Sequence, residues 1–599
     1  MFRTSIVREK LFKLLNRLLY WRLKHINDRN FLILVSVLVG IPSALAAVIL
    51  KRFVHLTHSF AQYLLKLPVA QFISILLPVI GILLTVIITR IFFKGKLEKG
   101  LGSILYAISR KSSKIEKDKM YSHVITSGIT VGFGGSAGLE APIVITGSSI
   151  GSNIATALNL GYKERSLMLA CGAASGIAAV FNSPIAGVIF AMEVLLTEIT
   201  IPAFIPILIS TATSIIVSKL LYSDQLHFPV GNEWYIHAIP FYILLGVLCG
   251  LLSVYITRIT LGIEGYFNKR KSIFKKALWG GLSLGVLIFI FPPLYGEGYS
   301  TIKDLLMGDY SSLLSLGFLA PFKDNPWLIL IMGVFLTLIK VIATSLTTGS
   351  GGNGGIFAPS LFIGALAGFS LAFFVNTAGI ADLNVSNFIV VGMAGILSGV
   401  VHAPLTAIFL IAEVTGGYVL FVPLMIVSAL SYFIGKYFEP YSVYTKKLAQ
   451  KKQLVSSDRD LNILSLLNIA DLVESDFIPL KSHGTLKSLV DAFEVSNRNV
   501  YPVVDADNNF LGVIYLEKVK GLLFKPELYQ EIKIMDITDT TVVPIDSNQG
   551  MELAMEKFEN SNHWNLPVIE NGKYIGIISR ANVFSAYRRM LKKSSSAFL

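Results

Sequence analysis

Apolar stretches alternate with short polar segments over the first three quarters of the chain, at 31–50, 71–93, 200–221, 240–262, 277–294, 327–346, 361–374, 385–401 and 419–435. The longer ones meet the roughly 20 residues that a helix needs to cross a hydrocarbon core about 30 Å thick. Others, such as 361–374, are too short or are broken by glycine and proline. Helices interrupted at membrane depth survive only where protein or a water-filled path satisfies their backbone. The pattern predicts a polytopic all-α membrane protein with broken helices over residues 31–445, surrounded by a lipid bilayer.

After Tyr444 the pattern changes. Residues 446–470 are polar and charged at first and predict a linker, followed at 471–593 by two similar units. In one, Tyr501-Pro502-Val503-Val504 leads through Asp505–Asn509 to Gly512-Val513-Ile514; in the other, Leu566-Pro567-Val568-Ile569 leads through Glu570-Asn571-Gly572 to Gly576-Ile577-Ile578. Each reads as strand, turn, strand, and Asn571-Gly572 suits a type I′ hairpin. Helical periodicity precedes both hairpins, at Leu486, Leu489 and Phe493 and at Met551, Leu553, Ala554 and Phe558. The expectation is a small α/β domain of paired modules.

Composition agrees: 53% of residues are hydrophobic and 15% charged. The net charge of +14 gathers beside the spans, at Arg3, Arg8, Lys10, Lys13, Arg17, Arg22 and Lys24, at Lys111–Lys119 and at Lys269–Lys276. Such flanking charge follows the positive-inside rule and predicts cytoplasmic N- and C-termini, not a nucleic-acid partner. The basic opening segment, 1–30, is expected to hold a surface helix over Phe12–Tyr20, without a cleavage site for a signal peptide. Two cysteines give no disulfide framework. The expected location is a bacterial inner (plasma) membrane.

The chemistry concentrates in Gly349-Ser350-Gly351-Gly352-Asn353-Gly354-Gly355-Ile356-Phe357-Ala358-Pro359, between two apolar runs. Free glycine amides and a helix starting near Pro359 make an anion site without a cationic side chain. A flexible interhelical loop is the plainer alternative, but a second copy argues against it. Gly138-Leu139-Glu140-Ala141-Pro142 matches Gly355-Ile356-Phe357-Ala358-Pro359 at an offset of 217, and Cys171–Val194 matches Val391–Val414 at an offset of 220. Duplicated halves with corresponding glycine/proline breaks point to a site at the membrane midplane. Glu140 is then the pivotal side chain. A carboxylate at that depth costs roughly 2.5–3.5 kcal/mol on insertion scales and is functional by default. Competing with an anion for the same cradle, it forms a gate that protonation releases.

These motifs resemble those of the CLC family of chloride channels and chloride/proton antiporters. GSGGNGGIFAP is similar to that family's long signature and Gly138–Pro142 to its GREGP motif; the C-terminal units resemble a tandem CBS pair. The resemblance implies two inverted halves and a homodimer with one pore per subunit. Glu140 is implied as the external gating glutamate, and chloride as the ligand, held by backbone around Gly138, Leu139, Ala141, Gly355, Ile356 and Phe357 and by the Tyr444 hydroxyl, Tyr441 being the alternative. No cofactor is implied.

The chain departs from the family at several points. The serine of the family's GSGIP motif is replaced by Leu101 or displaced to Ser103. Where antiporters carry two consecutive glutamates, the second a proton acceptor, this chain has Glu193 and Val194; Glu193 pairs with Glu413 across the repeat, which predicts structural roles for both. The acidic residues with which many CBS pairs hold a ribose are replaced by Lys518 and Asn582, so the pair is expected to be structural, with adenine-nucleotide sensing the alternative. The resulting expectation is a passive voltage- or pH-gated channel, with proton-coupled antiport as the alternative. An intramembrane enzyme using Glu140 and His402 lacks a paired acid/base spacing.

Overall fold

The computed structural model describes residues 24–65, 70–95, 97, 100–196, 201–222, 227–228, 233–314, 324–450, 464, 467–561 and 563–595. The chain divides between Leu454 and Val455 into two compact units.

In the first unit each predicted apolar stretch coincides largely with a helix: Asp28–Leu64, Ala70–Phe92, Ile201–Leu221, Ile239–Asn268, Ile273–Ile290, Pro326–Ser350, Phe357–Thr377, Val385–Val401 and Phe421–Phe438; the stretch 277–294 runs past its helix, which ends at Ile290 before a short 3-10 turn at Pro292–Leu294. The 37 residues of Asp28–Leu64 reach about 55 Å at 1.5 Å per residue, more than a bilayer core is thick, so this helix must tilt or project from it. It begins inside the expected N-terminal segment, whose predicted surface helix at Phe12–Tyr20 lies outside the described residues.

Glu140–Ala157 and Tyr162–Phe181 are also long helices, although no long apolar run marks them. They face protein on nearly all sides, and small residues replace leucine and isoleucine for that reason. A methyl group on Gly147 would stand 2.1 Å from the Gly172 carbonyl oxygen, and one on Gly364 would stand 2.3 Å from that of Gly392. The glycines that match across the repeat are therefore the points where helix backbones touch in each half. Such close approach through small residues is how helices associate where lipid supplies no hydrophobic drive.

The predicted linker is shorter than 446–470. Lys446–Gln450 forms a helical turn held to the membrane unit by ion pairs of Lys446 with Glu439 and Lys447 with Glu264. Leu464, Leu467 and Ile469 pack into a core of the second unit.

That second unit contains two three-stranded sheets: β1 (Leu480–Lys481), β2 (Val500–Val504) and β3 (Phe510–Tyr515), then β4 (Ile545–Asp546), β5 (Asn565–Glu570) and β6 (Lys573–Ser579). The first strand of each runs parallel to the second, and the other two form the predicted hairpins. Asn571 and Gly572 take φ of 52° and 83°, as a type I′ turn requires. The modules exchange edges. Glu474, ahead of the first module, pairs with Ile577 in β6, and Asp539, ahead of the second, pairs with Val513 in β3. Each lead-in thus satisfies backbone groups of the other module, which ties the two together. Lys518 forms an ion pair with Asp539 at 2.9 Å, and Asn582 Nδ2 donates to the Leu472 carbonyl at 3.0 Å.

Candidate functional site

The two duplicated loops meet. Gly138 N–H donates to the Gly355 carbonyl at 2.8 Å, and Gly355 N–H donates to the Gly138 carbonyl at 2.7 Å. Glycine is needed at both positions by contact rather than by φ. A Cβ on Gly355 would stand 2.8 Å from the Ala141 methyl, and one on Gly138 would stand 2.1 Å from a Glu140 carboxylate oxygen. The bridge brings two helix starts together, at Glu140 and Phe357, with capping residues Leu139 and Ile356 in nearly the same conformation (φ −94° in both). The first amides of a helix have no partner within it and carry the positive end of its dipole. Those of Ile356 and Phe357 donate to no backbone carbonyl among the described residues.

The signature loop is pinned, not flexible. Asn353, buried, receives its place from Thr130 Oγ1, which accepts its N–H at 3.0 Å, and from Thr126 Oγ1, which accepts from its side-chain amide at 2.7 Å; His123 Nδ1 lies 3.2 Å from that same amide. These partners lie more than 220 residues away in sequence, and nothing local marks them.

Glu140 lies in this cradle with 1% of its surface exposed. Its Oε1 accepts a 2.6 Å hydrogen bond from the Tyr299 hydroxyl. Its Oε2 rests over Gly138, beside the backbone amides of Glu140 and Ala358, without a hydrogen bond of regular geometry. The carboxylate therefore occupies the point where the two helix N-termini converge, the place an anion would take.

Tyr444 stands close enough to interact electrostatically with Glu140, and its hydroxyl is buried with no hydrogen-bond partner among the described residues. It lines a cavity of about 420 Å³ together with Ser103, Glu264, Thr348, Gly355 and Ile356. A buried phenol without a partner is one donor waiting for an acceptor. Tyr441 is 45% exposed and does not line that cavity. Ser103 does line it, but its hydroxyl donates to the Gly100 carbonyl at 3.1 Å. In this arrangement Ser103 offers the cavity no proton, a departure from its expected role as an anion ligand. Leu101 is buried in the core.

Glu193 and Val194 lie in a π-helical turn, Ala191–Leu195, that continues the helix Pro184–Phe190. Val194 packs against the apolar core. Both carboxylate oxygens of Glu193 accept from the first turn of the helix Pro404–Val414. Asn182 and His402 end corresponding helices in the left-handed conformation, at φ 55° and 63°. His402 packs edge-on against Tyr432, while the Glu140 side chain bonds to Tyr299.

Three residues of this neighbourhood are absent from the expectations drawn from sequence: Glu297, Tyr299 and Lys340. A glycine-flanked acid in Gly296-Glu297-Gly298-Tyr299 and a solitary lysine within the apolar run 327–346 were the available signals.

Residues 81–436 match the family described as voltage gated chloride channel, and residues 534–589 match the CBS domain. The chain is 30% identical over 334 residues to the voltage-gated ClC-type chloride channel ClcB of Escherichia coli O157:H7, covering 54% of this chain and 75% of that one. It is 26% identical over 549 residues to the chloride channel protein CLC-e of Arabidopsis thaliana, covering 81% and 75%. Among solved structures, a slow cyanobacterial Cl⁻/H⁺ antiporter superposes with a TM-score of 0.60 at 20% identity, over 71% of this chain and 98% of that one. At that identity the likeness is one of fold.

Proposed function

The chain belongs to the voltage gated chloride channel family, whose match spans more than half of it, and from that premise we propose a glutamate-gated path that carries chloride passively. The observation that carries this reading is the Glu140 carboxylate lying where two helix N-termini converge, with Tyr444, whose buried hydroxyl has no partner among the described residues, lining the adjoining cavity. Charged, Glu140 fills the anion's place; protonated, it loses its attraction to the amides and yields that place to chloride. Partial charges of amides and one phenol bind a small anion without the grip of a full cation, which suits transit over capture.

Passive movement is the reading supported by Val194, which cannot carry a proton, and by Glu193, whose oxygens are both engaged by another helix. Proton-coupled exchange is the second reading, and Glu264 favours it as the acidic group lining the cavity beside Tyr444. Its oxygens are engaged by an ion pair with Lys447 and a hydrogen bond from Thr348 at 3.0 Å. We further propose a homodimer in a bacterial inner membrane with cytoplasmic termini, and a structural role for the CBS pair. The deciding measurement is the reversal potential of purified protein in liposomes under a chloride gradient, with and without a pH gradient. A reversal potential that tracks chloride alone is expected; uphill proton pumping driven by chloride overturns the passive reading.

A further inference from the structure

The anion path described above makes no use of the loop Gly296–Tyr299 beyond its one contact with Glu140, yet that loop is tightly fixed. Lys340 is fully buried, and its ammonium donates to the carbonyls of Leu294 at 3.1 Å and Gly296 at 3.0 Å while lying 4.8 Å from the centre of the Phe362 ring. A buried ammonium is costly unless its hydrogens find acceptors; here the acceptors are the backbone of this loop. Gly298 takes φ +91°, and a Cβ on it would stand 2.5 Å from the same Phe362 ring. Only glycine lets the loop turn there while pressing against the helix that starts at Phe357. The turn launches the helix Tyr299–Leu306 and sets the Tyr299 ring 6.3 Å from that of Phe228.

We propose that Tyr299 is a positioning residue for the gate: its hydroxyl latches the Glu140 carboxylate in the cradle, and Lys340 holds the loop that carries the latch. The inference rests on Glu140 being the gate. A phenol donating 2.6 Å to a carboxylate oxygen is a short, charge-assisted bond that favours the ionised form. Once Glu140 takes a proton that preference is gone, so the latch is strongest in the closed state and releases with the gate.

The other titratable or charged groups facing Glu140 are Glu297 on the same loop and Tyr444 across the cradle. Lys51 and Lys340 face Glu297. Glu297 and Glu140 repel when both are charged, while the Tyr299 hydroxyl donates to Glu140.

The test is chloride efflux from liposomes as a function of pH, for the unaltered protein and for Tyr299→Phe, Gly298→Ala and Glu140→Gln. Removing the latch makes the closed state easier to leave, so Tyr299→Phe moves the midpoint of proton-activated efflux to higher pH by about one unit, a tenfold lower proton concentration. Gly298→Ala displaces the latch without altering any charge and moves the midpoint in the same direction as Tyr299→Phe, and it supplies the reading should that variant fail to assemble. An unchanged midpoint in assembled Tyr299→Phe or Gly298→Ala protein, with Glu140→Gln indifferent to pH, overturns the latch and leaves the gate standing. A pH-dependent Glu140→Gln overturns the gate itself.

Discussion

Glu193 and Glu413 each cap the first turn of the helix that carries the other. The Glu193 carboxylate accepts from the Leu405 and Thr406 amides at 3.2 and 2.8 Å and from the Thr406 hydroxyl at 2.7 Å. The Glu413 carboxylate accepts from the Ile185 and Ala186 amides at 3.1 and 2.9 Å. All of these residues correspond at the repeat offset of 220, so one contact is formed twice across the two-fold relation of the halves. A carboxylate at a helix N-terminus satisfies orphan amides and complements the dipole.

Glu193→Gln and Glu413→Gln should each lower stability by about 1–2 kcal/mol, the range of a lost cap plus its charge. Thermal unfolding in detergent reads this directly. Should Glu193→Gln melt like the unaltered protein while abolishing measurable proton movement, the carboxylate belongs to a proton path.

Glu140→Gln should leave chloride flux intact and remove its dependence on pH. The amide has the shape of the protonated acid, so the gate is held in its released form at every pH. Efflux measured between pH 4 and pH 8 should be flat.

Tyr444→Phe should weaken anion binding by about 0.5–1.5 kcal/mol, the net worth of one hydrogen bond, or somewhat more for a charged acceptor. The backbone amides at Ile356 and Phe357 remain and keep most of the affinity. Calorimetric titration of the purified protein with chloride is the check, and an unchanged affinity excludes the hydroxyl as a ligand.

In the C-terminal unit, the hydrogen bond from Lys518, with Thr541 adding to it, holds the Asp539 carboxyl down to about 2 from an ordinary 3.8. A carboxylate whose folded value lies below its unfolded one adds stability above the unfolded value and loses it as pH falls toward the folded one. The contribution is therefore complete above about pH 4 and fades toward pH 2. Because the pair is largely open to solvent, its worth is at most about 1 kcal/mol. Asp539→Asn should lower the melting temperature of this unit slightly at pH 7, and the difference should shrink as pH falls toward 2.

Much of this was legible in sequence. Apolar runs marked the lipid-facing helices because those must be long and greasy, and Asn571-Gly572 marked its hairpin because few residues accept two positive φ angles. The glycine-rich loops stood out through their repetition and spacing, and they are the two loops that meet at Gly138 and Gly355. Glu193 and Glu413 could be matched as a pair, although the direction of their capping, each onto the other's helix, could not be read.

Tertiary structure alone decided the rest. The helices Glu140–Ala157 and Tyr162–Phe181 carry no strong apolar signal because their surroundings are protein, and glycine contacts such as Gly147 with Gly172 took the place of bulk. The bridge between Gly138 and Gly355 is fixed by the inverted relation of the halves, which no local pattern encodes. Ser103 kept its place by the cavity but turned its proton to Gly100, a matter of local backbone geometry. Tyr299 reaches Glu140 across 159 residues of sequence, because Gly298 turns the chain there and Lys340 holds it. Spacing along a chain reports which groups share an element; which groups meet at a point is decided by how the elements pack.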